Sequence, residues 1–141
     1  MSAGWCAVVG WLALIEGGCL PAEDPPAPRW HYLHTAIIAP NCTTSGCHSA
    51  LTALAGVNLA DAEGAYLILT GHPCGQPLRP QDPPRNYVTP GSAEYSELVY
   101  QLRGADSTGR SYRNVMPRDT RLPESEIALI ESWIDAGAAC D

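Results

Sequence analysis

Residues 42–48 read Cys42-Thr43-Thr44-Ser45-Gly46-Cys47-His48, two thiols and an imidazole in one short segment. The histidine follows the second cysteine directly, so ring and thiol leave the backbone as neighbours. Four residues separate the cysteines, and Ser45-Gly46 suit a turn that loops them out. Three uses compete for this set. It could attach a cofactor covalently, close a disulfide between Cys42 and Cys47, or hold a metal with Cys74 as a further ligand. The rest of the chain has to decide between them.

The chain has 141 residues, enough for one domain. Its eight basic residues are all arginine, against 15 acidic ones, for a formal charge of −7. An acidic chain without lysine offers no cluster of positive charge for nucleic-acid phosphates. Hydrophobic residues make up 45%, with four Trp and six Tyr, which excludes a disordered chain. Six cysteines each need an account, and Met116 is the one internal methionine. No Ser/His/Asp set or phosphate-binding glycine loop stands out, so no catalytic residue is assigned.

Trp5 to Ile15 (WCAVVGWLALI) is an apolar run of signal-peptide length, too short to span a bilayer. Gly17-Gly18-Cys19, Leu20-Pro21-Ala22 and an acidic, proline-rich stretch follow it. Residues 1–22 therefore read as an export signal, 23–29 as a tether and 30–141 as the working domain, outside the cytoplasmic membrane. Cys19 after two glycines matches a lipobox and is the lipidation candidate, although Glu16 stands where a lipobox has a leucine-like residue. Cleavage after Ala22 is the competing route. A membrane-anchoring or buried helix is the blander reading of the same run.

Periodicity in the remainder predicts an all-α domain of three to four short helices joined by long loops. The first covers Arg29 to Ala39, with Trp30, Leu33, Ile37 and Ile38 at helical offsets and a stop at Pro40. The second runs from an Asp61 cap to Gly71. The third starts at a Ser92 cap and runs through Tyr95, Leu98, Val99 and Leu102 to Gly104. The fourth begins at Pro123, buries Ile127, Ile130, Trp133 and Ile134, and ends at Gly137. So few helices around so many prolines leave a small apolar core, which a covalently held cofactor would help to fill.

In c-type haem attachment, two cysteine thiols add to the haem vinyl groups, and the histidine after the second cysteine binds the iron. Cys42, Cys47 and His48 supply that set, with four residues between the cysteines in place of the usual two. The opposite axial position needs its own ligand. Met116 stands in Asn114-Val115-Met116-Pro117, and its thioether is soft, favours ferrous iron and raises the potential. A lone methionine is ordinarily core packing. His72 is the competing distal ligand and would lower the potential, while His31 and His34 default to surface or structural roles.

In order and content these pieces resemble the class I cytochromes c, and more closely the small cytochrome c-like domains of exported bacterial proteins and lipoproteins. The similarity covers nearly all of Trp30 to Ala138. A helix leads into the Cys/His motif; GVNLADAEGA (56–65), VTPGSAEYSELVYQL (88–102), Met116-Pro117 and LPESEIALIESWIDAGA (122–138) follow. The resemblance implies a cytochrome c-like fold wrapped around one covalently attached haem c, with crossed first and last helices. It also implies a one-electron carrier, not an enzyme in its own right. Matched by motif, Cys42 and Cys47 are the thioether residues, His48 the proximal iron ligand and Met116 the distal one.

Cys74 and Cys140 each lie just past a predicted helix end and form the disulfide candidate, with two unpaired thiols as the alternative. The acidic balance favours a redox partner with a basic docking face. No nucleic acid is expected, and a membrane only through a lipid at Cys19. Two readings from other classes stand beside the electron carrier. One is a haem-free, disulfide-stabilised domain for binding or assembly; the other is a haem sensor or peroxidase with an open distal site.

Overall fold

The structure, a computed structural model, describes residues 28–76 and 87–141. The signal peptide, Cys19, all but the last two residues of the tether, and Pro77, Pro80, Pro83 and Pro84 lie outside the described residues. What is described is all-α: helices and turns, with one isolated bridge between Ala105 and Ser111 and no strand. No described helix is long and apolar enough to cross a membrane.

The chain enters through α1 (Trp30–Leu33), which passes through a π-helical segment (His34–Ile38) into α2 (Ala39–Cys42). The expected stop at Pro40 does not occur. Proline has no N–H, and its ring presses on the carbonyl one turn back. Here the wider π turn precedes it and Pro40 sits in the first turn of α2, where a missing donor costs least. Asn41 Nδ2 donates to the Ile37 carbonyl at 2.8 Å, and Thr43 Oγ1 to that of Ala39 at 2.7 Å. The helix thus delivers Cys42 as its last residue.

Helix α3 (Ala62–Thr70) starts and stops as its sequence predicts. The Asp61 carboxylate accepts the Gly64 N–H at 2.7 Å, and Gly71 leaves the helix at φ +80°. The third predicted helix needs correction, because Ser92 caps only a 3₁₀ turn (Ala93–Tyr95) and α4 (Glu97–Arg103) begins after Ser96. Ser96 is fully buried and extended; its hydroxyl donates to Ser92 O at 2.8 Å and accepts the Thr89 N–H at 2.9 Å. That competition for backbone groups interrupts the helix. Gly104, at φ +73°, ends α4, and a side chain there would press on Val115 and Arg121.

Helix α5 (Glu124–Asp135) buries Ile127, Ile130, Trp133 and Ile134, and Pro123 stands at its cap position instead of inside it. Arg103 ties α4 to α5 by bonding Glu124 at 2.8 Å and Glu131 at 2.7 Å. At the centre Trp30 packs on Trp133, ring centroids 5.1 Å apart, and on Tyr66 at 5.6 Å. Every polar tip in this cluster is satisfied: Trp30 Nε1 donates to Ala62 O, Trp133 Nε1 to Ala139 O and the Tyr66 hydroxyl to Ala138 O. Asp141 closes the arrangement by accepting the Trp30 N–H at 2.6 Å and pairing with Arg29.

Cys74 and Cys140 are bridged, with Cα atoms 5.3 Å apart and a sequence separation of 66. The bridge fastens the chain beyond α3 to the chain beyond α5, next to the aromatic cluster. Chain entropy over such a loop is worth about 4 kcal/mol. Replacing both cysteines by serine is therefore expected to lower the unfolding free energy by about that amount in urea titrations. An unchanged midpoint would show that the bridge constrains nothing.

Candidate functional site

A cavity of about 390 Å³ opens between the end of α2, the loop that follows it, α3, α4 and the loop before α5. Its wall is largely aliphatic, built from Leu54, Val57, Leu59, Leu69, Leu98 and Leu102. Cys42, His48 and Met116, far apart in sequence, all line it. Its polar wall consists of Glu97 and Gln101 from α4 with Asn114 and Arg118 from the Met116 loop.

His48 is held on both its backbone and its ring. Its N–H donates to Cys42 O at 3.0 Å, so the four residues between the cysteines bulge outward while their ends stay joined. A turn at Thr44, whose carbonyl accepts the Cys47 N–H at 2.9 Å, closes that bulge. The His48 carbonyl accepts the Leu59 N–H at 2.8 Å. The ring Nδ1 lies 3.2 Å from the Val57 carbonyl. Since a carbonyl only accepts, Nδ1 carries the hydrogen, and Nε2 is the ring nitrogen whose lone pair a metal could take. A carbonyl bonded to one ring nitrogen fixes the orientation of an imidazole and makes the other nitrogen a better metal ligand.

The chain between His48 and Val57 reverses through a strained turn. Ala53 and Ala55 hold φ of +40° and +58°, a left-handed backbone that costs a non-glycine residue about 1 kcal/mol or more. Gly56 N–H to Ala53 O, 2.7 Å, and Val57 N–H to Leu54 O, 3.2 Å, fix the reversal. From behind, the buried His34 places Nε2 3.0 Å from the Leu59 carbonyl. In the sequence, the one signal for this role of His34 is its place on the Trp30–Leu33–Ile37 face.

Of the residues proposed from sequence, the cavity gathers Cys42, His48 and Met116. Cys47 does not line it, nor does His72. Cys42 and Cys47 carry free thiols and are not joined to each other. The Cys42 thiol is pushed up from 9.0 to about 11, first by burial and then by the neighbouring Cys47. The metal reading with Cys74 is overturned, because that sulfur is bonded to Cys140. No group of three or more His, Cys, Asp or Glu converges on a metal position among the described residues.

Met116 is brought to the cavity through its backbone, where its N–H donates to Gln101 O at 2.9 Å. The following peptide bond, Met116-Pro117, is cis. Arg121 donates to the Arg103 carbonyl at 3.3 Å, anchoring the far end of the same loop to α4. Comparisons with protein-family models, curated proteins and solved structures find no match to this chain.

A raised thiol pKa makes Cys42 a slow nucleophile. With Cys42 unmodified at pH 8, its alkylation is expected to run about a hundredfold slower than that of an ordinary thiol. Since the folded chain favours the neutral thiol, the stability linked to it is complete below pH 9 and drains away as pH climbs through 11. Mass-mapped iodoacetamide labelling across that range checks both statements. A Cys42 that labels at the free-thiol rate would contradict them.

Proposed function

We propose that this chain is an exported monohaem c-type cytochrome of cytochrome c-like fold that carries single electrons between proteins. One observation carries the reading: a single aliphatic cavity collects Cys42, His48 and Met116, with His48 Nδ1 tied back to Val57 O and Nε2 left as a donor. The residues fit the group. A half-buried thiol, an imidazole and a thioether line the cavity, and a second half-buried thiol, Cys47, stands in the bulge beside it; together they make the set that covalent haem attachment and His/Met ligation require. When bound, a haem c supplies one-electron chemistry at its iron.

The protein's share is to hold and tune that group. Cys42 provides a thioether sulfur from the end of α2, and Cys47 provides the second from the adjoining bulge. His48 would bind the iron through Nε2 and Met116 through its sulfur. A thioether among the ligands would favour the reduced iron. The leucines and Val57 would set apolar surface against the group, which limits the reorganisation that accompanies a change of charge. With a formal charge of −7, the chain favours a partner with a basic face, and docking slows as salt rises.

Periplasmic expression with haem-maturation factors, followed by a denaturing gel stained for haem, tests the reading. Haem is expected to stay on the chain, and to be lost when Cys42 and Cys47 are both replaced by alanine. Met116→Ala is expected to remove the low-spin His/Met spectrum and lower the reduction potential. A colourless purified protein would sink the electron-carrier reading in favour of a haem-free binding or assembly domain. A low-spin spectrum that survives Met116→Ala would move the distal role to a histidine.

A further inference from the structure

The loop that brings Met116 to the cavity leaves α4 at Gly104 and reaches α5 through Leu122. Few of its side chains are buried, and Arg110, Arg113, Asn114, Arg118 and Asp119 are all exposed. A segment with so few apolar anchors opens at little cost unless polar ties hold it. Two backbone ties exist, Met116 N–H to Gln101 O and Tyr112 N–H to Gly104 O, both 2.9 Å. Between them lies a knot of side chains. The Tyr112 hydroxyl donates to Glu97 Oε1 at 2.8 Å, and the Gln101 amide donates to the same oxygen at 3.3 Å. The Tyr112 ring also packs against Tyr100 of α4, with centroids 6.0 Å apart.

Glu97 and Gln101 are themselves part of the cavity wall. A single carboxylate oxygen thus joins three things: the wall, the residue whose carbonyl holds Met116, and the loop. We propose that Glu97 and Tyr112 are positioning residues that hold the Met116 loop against α4 and so keep the methionine sulfur at the cavity. The inference rests on the reading of Met116 as an axial ligand. A thioether is neutral and weakly bound, so its grip on a metal depends on the protein keeping the sulfur in place. The hydrogen bond from Tyr112 to a carboxylate is of the stronger, charge-assisted kind.

Trypsin reports loop opening without any cofactor. The chain has no lysine, so every tryptic site is an arginine; Arg110, Arg113 and Arg118 lie on this loop, as does Arg121 at its α5 end, whose side chain is tied to Arg103 O. Where opening and closing are fast, cutting follows the population of the open loop. In the haem-free chain, Tyr112→Phe and Glu97→Leu, which removes the acceptor where glutamine would keep one, are each expected to speed cutting at Arg110, Arg113 and Arg118 roughly fivefold, the effect of one such hydrogen bond at a partly exposed place. The double variant should cut no faster than either single one, because both remove the same tie. Cutting at Arg29 and the helical circular dichroism should match the parent. Tyr112→Phe keeps the ring on Tyr100, which guards against simple misfolding.

In the haem-loaded protein the same two variants should weaken the sulfur-to-iron charge-transfer band and lower the reduction potential. Equal loop cutting in parent and variants overturns the proposal, as does an unaltered band and potential in loaded variants. Acceleration spread evenly over all arginines would show a general loss of fold and also overturns it. A parent that takes up no haem, yet shows faster loop cutting in the variants, defeats the electron-carrier reading while supporting the loop-holding role of Glu97 and Tyr112.

Discussion

Burial of Trp30 is the constraint on which the other parts depend. Its ring has no exposure and touches Trp133 of α5, Tyr66 of α3 and His34 of its own helix. A side chain of that size removes a large apolar area from water, and its indole N–H would be costly without the Ala62 carbonyl. The contacts bring the first and last helices together, while Asp141 on the Trp30 N–H and the Cys74–Cys140 bridge secure the chain beside them. Helices this short gain little from propensity alone, so packing on this cluster is what keeps them formed.

From that cluster a line of polar contacts leads to the cavity. The helix that carries Trp30 also carries His34, whose ring holds the Leu59 carbonyl; the Leu59 N–H holds the His48 carbonyl. His48 in turn bonds Val57 across a strained turn. The backbone strain at Ala53 and Ala55 is sustained because hydrogen bonds determine the segment at both ends. Elsewhere on the wall the loop with Met116 is tied to α4, and Arg103 of α4 pairs with Glu124 and Glu131 of α5. The two sets of supports are joined by backbone bonds from the Val88 N–H to Leu69 O at 2.9 Å and from the Leu98 N–H to Tyr87 O at 2.8 Å.

Much of the architecture was legible because its signals are local. Asp61 and Gly71 bracket α3 with a side-chain cap and a left-handed residue, and both act within one turn. The spacing of Ile127, Ile130, Trp133 and Ile134 gave the buried face of α5. The two misjudged boundaries have a shared cause. Pro40 fails to stop its helix because a π turn ahead of it makes room, and Ser92 fails to start one because the buried Ser96 competes for the same backbone groups. In each case a neighbouring geometry, invisible in a propensity, outweighed the residue's usual habit.

The sequence by itself determined which chemical groups are available: two thiols beside an imidazole, one internal thioether, a second cysteine pair and an acidic surface without lysine. It also determined which segments are helical, because capping and apolar spacing act over a few residues. Only the tertiary structure decided that His48 and Met116 share one cavity and that Cys42 lines it while Cys47 does not. It alone selected Val57 as the acceptor for His48 Nδ1, and Glu97 as the partner of Tyr112. Every residue carries a carbonyl and acidic side chains are common along the chain, so composition cannot single one out. The fold does so by placing one of them within hydrogen-bonding reach.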